Sequence, residues 1–83
     1  MTDKVSYYSI VGVGRSAENP SGLARRTDTG TTRVDESLRR DFTWGPTTTV
    51  TEWEYGNLAG ELVEISAGEA EALMERFRQK WAQ

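Results

Sequence analysis

Ser66, followed three residues later by Glu69, opens the one stretch of this chain in which every local signal agrees. A serine at a helix N-cap and a glutamate at the third helical position satisfy each other's free backbone N–H groups. Ile65, just before the box, is placed to staple weakly against Ala70. From there Ala70, Leu73, Phe77 and Trp81 recur at spacings of three and four, with Met74 on the flank, which puts them on one stripe of a helix. Glu69 and Glu71 sit near the positive end of its dipole, and Arg76, Arg78 and Lys80 near the negative end. A helix with a single apolar stripe has to cover something, and the residues before it read as strands.

Residues 5–13 alternate β-branched and aromatic side chains on both faces, with Val5, Tyr7, Val11 and Val13 on one side and Tyr8 and Ile10 on the other. They predict an inner strand. Residues 14–22 are turn chemistry and predict a surface loop. Leu23–Thr27 resumes an extended pattern, and Asp28-Thr29-Gly30 predicts a hairpin turn with Gly30 supplying the positive φ. Val34, Leu38, Phe42 and Trp44 share strand parity, which favours strands over at least Thr31–Val34 and Asp41–Trp44. A helical turn near Asp35–Arg40 stays open. Gly45-Pro46 interrupts the chain. Residues 47–55 read two ways: Thr and aromatic content suits a strand, whereas Thr49-x-x-Glu52 and Gly56 suit a capped helix. Glu61–Ile65 predicts a short strand.

The expected fold is therefore α+β: a small antiparallel sheet of three to four strands with the C-terminal amphipathic helix packed on one face. Its 83 residues make one domain, 1–83. Only fifteen residues are Leu, Ile, Val or Phe, a composition that raises disorder. A net charge of −3 and eight aromatics, three of them Trp, argue for a folded chain.

The absence of Cys and His removes disulfides, thiolate chemistry and the commonest metal ligand and neutral-pH base. No cofactor is expected. Nor is any apolar stretch long enough to suggest a leader or a membrane span, so a cytoplasmic protein that does not engage membranes is expected. Residues 1–46 carry a net +1 and residues 47–83 a net −4, a mild split.

Gly12-Val13-Gly14-Arg15-Ser16-Ala17 matches the local form of a dinucleotide fingerprint. That mechanism needs a helix N-terminus on the pyrophosphate, and Asn19-Pro20-Ser21-Gly22 would end any helix within about one turn. Turn glycines are the better reading. Arg25, Arg26, Arg33, Arg39 and Arg40, with Trp44 nearby, could form a guanidinium stripe with an aromatic platform for nucleic acid. Neighbouring arginines on a strand point to opposite sides, however, and Asp28, Asp35, Glu36 and Asp41 interleave with them. Glu52, Glu54, Glu61 and Glu64 could serve as an acid/base pair only in a cleft, for which so small a chain has little room. A solvated face is the simpler reading.

Pro20-Ser21-Gly22-Leu23-Ala24-Arg25-Arg26, Trp44, Gly56 and Glu61-Leu62-Val63-Glu64-Ile65-Ser66 with Glu69-Ala70 together resemble small uncharacterised proteins of actinobacteria. In those proteins a Ser-Gly-Leu-x-Arg-Arg segment precedes a Trp and a closing Glu-Ile-Ser-x-x-Glu-Ala helix start. Ala24 and the Thr-rich stretch 47–51 depart from the bulkier residues of that pattern. The resemblance implies a cytoplasmic bacterial origin, tilts residues 49–55 toward helix and carries over no functional residue. The functional expectation is a non-catalytic protein-interaction module, not an enzyme. Arg25, Arg26, Arg39, Arg40, Trp44 and Trp53 are the candidate partner-binding residues, for a protein partner or a second copy of the chain. A nucleic-acid accessory role is the alternative, disfavoured by an acidic pI near 4.9.

Overall fold

The computed structural model describes residues 3–16 and 19–81. In chain order the elements are β1 (Lys4–Val11), β2 (Gly22–Asp28), β3 (Arg33–Leu38), β4 (Trp44–Pro46), α1 (Thr49–Glu54), β5 (Glu61–Ile65) and α2 (Ala67–Trp81). The strands form one antiparallel sheet in the order β4-β3-β2-β1-β5. The fold is α+β, with five strands instead of three to four.

The additional strand arises where the sequence signals a break. Gly45-Pro46 does not interrupt the sheet but forms β4 together with Trp44. At a sheet edge the N–H that Pro46 lacks is not required. The predicted strand Asp41–Trp44 is instead mostly a turn: Phe42 has φ of 65°, and the Asp41 carboxylate accepts hydrogen bonds from the Thr43 N–H (3.1 Å) and hydroxyl (2.6 Å). β3 stays extended through Leu38, so no helical turn forms before it. β1 stops at Val11, leaving Val13 exposed in a turn rather than on the strand. Residues 12–16 are turn and irregular backbone, not a helix, which removes the dinucleotide geometry; Ala17 lies outside the described residues. The Asp28–Gly30 turn forms as its residues dictate, with the Gly30 N–H donating to Asp28 Oδ1 at 2.9 Å and Gly30 at φ 92°.

Residues 49–54 are helical. The reason is tertiary: Val50 is buried against Ala24 and Leu62. Gly56 follows at φ 74°, but Thr49 is not the cap. Thr48 occupies that position and its hydroxyl donates to the Glu52 carboxylate at 3.2 Å. At α2 the box closes as read from the sequence. The Ser66 N–H donates to Glu69 Oε1, and the Glu69 N–H to Ser66 Oγ, both at 3.1 Å.

Cross-strand register assigns each residue to a face, because residues directly opposite share a side. Tyr7, Leu23, Arg25, Glu36, Leu38 and Trp44 face α2, while Tyr8, Ala24, Arg26, Asp35 and Leu62 face α1. Under α2, Leu23 and Leu38 join Ala70, Leu73 and Phe77 in the larger core, with Ile65, Phe42, Trp44 and Trp81 packed against it. Phe77 and Trp81 stack with ring centroids 4.5 Å apart. Full burial of Leu73 and Phe77 stabilises by roughly 2 kcal/mol each relative to exposure. The opposite core is smaller: Ala24, Val50 and Leu62, flanked by Tyr8, Ile10 and Leu58.

Candidate functional site

The six residues singled out from the sequence are distributed over five places. Arg25 lies on the α2 side with its guanidinium 4.2 Å from the Trp44 ring centroid, and it pairs with Glu36 at 3.0 Å. Arg26, one residue on, points to the other face. There it holds Asp35 at 2.7 and 3.0 Å and Glu54 at 3.0 Å, and Thr51 adds a hydroxyl bond to Asp35 at 3.3 Å. Both side chains of the Arg26–Asp35 pair are only 12% exposed. The hydrogen bonds from Arg26 hold the Asp35 and Glu54 carboxyls below their ordinary range, and the same bonds push the guanidinium further up. Arg39 lies over the Gly45 backbone, where a Cβ would stand. Arg40 sits 5.3 Å from the Trp81 ring. Trp53 packs against Tyr8 at 6.1 Å.

Two of the four arginines are therefore committed to carboxylates within the fold, and on opposite faces. A continuous arginine stripe does not form. The four glutamates considered from the sequence also separate. Glu54 is engaged by Arg26, and Glu52 by Thr48. Glu61 and Glu64 lie on β5 with opposite parity. Among the described residues no group of three or more His, Cys, Asp or Glu is placed to hold a metal ion. A cavity of about 230 Å³ opens between α2, β1 and β5, lined by Ser9, Pro20, Ile65, Glu69, Leu73 and Arg76. A second, polar hollow sits on the β2–β3 turn around Asp28 and Arg33.

The sheet edges differ more than the hollows do. β4 is three residues long, ends in Pro46 and has Arg39 laid over its middle residue. Just past it the Thr47 N–H returns to the Asp35 carbonyl at 3.1 Å. Short length, proline and overlying charge are the usual means by which an edge refuses a further strand. β5 lacks the proline and the overlying cation, and its only charges are the two glutamates Glu61 and Glu64. Glu61–Ile65 pairs with β1 along its full length, and its backbone bonds to no other described residue. It contains neither Pro nor Lys. Alternate N–H and C=O groups of such a strand point away from the sheet.

The side chains along that edge have a definite chemistry. Leu62 is buried on the α1 side, Val63 is 37% exposed on the α2 side, and Glu61 and Glu64 are exposed, one on each side. Neither glutamate has a cationic partner among the described residues. Glu64 stands directly opposite Tyr8 in the register, and Tyr8 leads to Trp53, itself 40% exposed. Sequence reasoning found Trp53 and the two glutamates but did not connect them. The connection is strand order, which places β5 outside β1 and carries no local signal. A strand of five with two glutamates and no Lys or Pro is the one hint the residues give.

No protein-family model matches the chain, and neither the curated proteins nor the solved structures contain a match. Among the described residues no helix is long and apolar enough to cross a membrane.

Proposed function

We propose that this chain is a non-catalytic protein-interaction module that docks an extended segment of its partner along β5. The observation that carries the reading is a contrast between the two edges of the same sheet. The β4 edge is shortened, ended by Pro46 and overlain by Arg39. The β5 edge has neither Pro nor Lys, and its only charges are two glutamates without a cationic partner among the described residues. Added strands gain affinity from main-chain hydrogen bonds and specificity from the side chains beside them. A bacterial, cytoplasmic setting belongs to the same proposal, on the resemblance of Ser21-Gly22-Leu23-Ala24-Arg25-Arg26 and the Ser66 helix start to the actinobacterial pattern.

The test is co-purification of stoichiometric partners from native lysate with the wild-type chain and with Val63→Lys, a charge of the kind that blocks edges. The reading expects a partner that survives nuclease treatment and is lost with Val63→Lys while circular dichroism and melting stay unchanged. A partner retained by the variant, or none at all, overturns it.

A second reading, a nucleic-acid accessory protein, draws support from the corner where the β3–β4 turn meets the end of α2. There Arg40 lies over Trp81, and Arg78 lies 5.2 Å from the Phe42 ring. It predicts binding to single-stranded oligonucleotides that weakens steeply with salt. No mobility shift at low ionic strength sinks it.

A further inference from the structure

We infer that the β5 edge takes a basic extended segment, with cationic residues three apart flanking an apolar one. The inference rests on the edge-docking reading and adds the class of partner. A strand laid antiparallel along Glu61–Ile65 meets, in order, Ile65, Glu64, Val63, Leu62 and Glu61. Its residues opposite Glu64 and Glu61 fall on opposite faces of the extended sheet. Each of those two residues meets an exposed carboxylate that the chain itself leaves without a counter-ion among the described residues. Between them, the residue opposite Val63 meets a half-exposed apolar side chain, where a β-branched residue packs best.

The α1 side adds a preference between the two cations. Glu64 neighbours Tyr8, whose ring lies 6.1 Å from that of Trp53. A guanidinium opposite Glu64 can reach both a carboxylate and an aromatic face, which favours Arg over Lys at that place. Self-pairing is the less suited occupant. Two β5 strands related by a two-fold axis at Val63 bring Glu61 opposite Ile65 and Glu64 opposite Leu62, so four glutamates share a seam with no cation. Centring the pair on Glu64 sets like charges face to face, which destabilises. The net charge of −3 on each copy adds to the repulsion.

The experiment uses the full chain and short end-blocked peptides with the cores Thr-Arg-Val-Thr-Arg, Thr-Gln-Val-Thr-Gln and Thr-Glu-Val-Thr-Glu. Binding is followed by amide chemical shifts and by anisotropy. The expected result is shifts concentrated on Glu61–Ile65, with the basic peptide binding roughly ten-fold tighter than the neutral one and losing that advantage at high salt. The double variant Glu61→Lys, Glu64→Lys, with its fold checked by circular dichroism, should reverse the order in favour of the acidic peptide. Equal binding of basic and neutral peptides at β5 overturns the charge assignment and leaves edge docking standing. No peptide perturbing β5 overturns both. A dimer in sedimentation that Val63→Lys dissociates gives the edge to a second copy and also overturns the inference.

Discussion

The two faces of this sheet are held by different physics. Under α2 the core contacts are apolar and aromatic: Leu23, Leu38, Leu73 and Phe77 are buried, with Trp44 and Trp81 closing the sides and the Arg25–Glu36 pair only at the margin beside Trp44. Under α1 the apolar cluster shrinks to Ala24, Val50 and Leu62, and the space beside it is filled by Arg26 with Asp35, Glu54 and Thr51. A six-residue helix is too short to be stable by itself, so α1 depends on what it docks against. The lesson is that a chain poor in aliphatic residues can cover one face with mass and fasten the other with a nearly buried ion pair. The first kind of contact is indifferent to pH. The second is not.

That contrast can be broken by substitution. Phe77→Ala should cost roughly 3–5 kcal/mol in denaturant or thermal unfolding, with the same pH dependence as the parent. A loss under about 1 kcal/mol would place Phe77 at the surface and undo the packing of α2. Asp35→Asn should cost about 2–3 kcal/mol, somewhat less than breaking an isolated buried pair, because Glu54 still attends Arg26. The same variant should flatten the acid limb of the stability curve. Asp35 has its carboxyl lowered by the Arg26 hydrogen bonds, so its contribution is fully present above the unfolded value near pH ~4. It is lost as pH falls through the lower folded value. An acid limb as steep in Asp35→Asn as in the parent would move the pH sensitivity to other carboxyls.

Smaller effects sharpen the comparison further. Trp53→Ala should cost about 1 kcal/mol, the scale of a partly exposed ring pairing with Tyr8. A loss as large as that of Phe77→Ala would make the faces equal partners. Ser9 breaks the apolar parity of β1 between Tyr7 and Val11, and although only 4% exposed it sits at the 230 Å³ cavity under α2. Ser9→Val should therefore raise stability by about 0.5–1 kcal/mol. Destabilisation would mean the hydroxyl is satisfied there by water.

What could be read from the residues follows the same division between local and remote causes. The Ser66 cap, the Leu73-Phe77-Trp81 stripe and the Asp28–Gly30 turn are decided within a few residues, and all three form as their chemistry dictates. Pro46 misleads because a proline rule that holds inside a sheet lapses at its edge, and no local pattern announces which strand is outermost. Residues 49–54 stay ambiguous until Val50 is seen against Ala24 and Leu62. The same holds for the site. Strand parity is enough to separate Arg25 from Arg26, but that Glu64 stands opposite Tyr8, which in turn packs against Trp53, depends on β5 lying beside β1.

Gly60 lets β5 start close against the end of β1. A Cβ at that position would run into the Val11 carbonyl, so a start with Glu61 opposite Val11 requires glycine there. The edge then behaves as a ruler of five residues, about 17 Å long, and an occupant gains nothing from being much longer. It is also a ruler that cannot slide. A slip of one residue against β1 would exchange the faces of Glu61 and Glu64 and turn buried Leu62 toward the other side. The missing Cβ at Gly60 thus admits this register, and the burial of Leu62 holds it, so the two together fix which side of the sheet carries which charge.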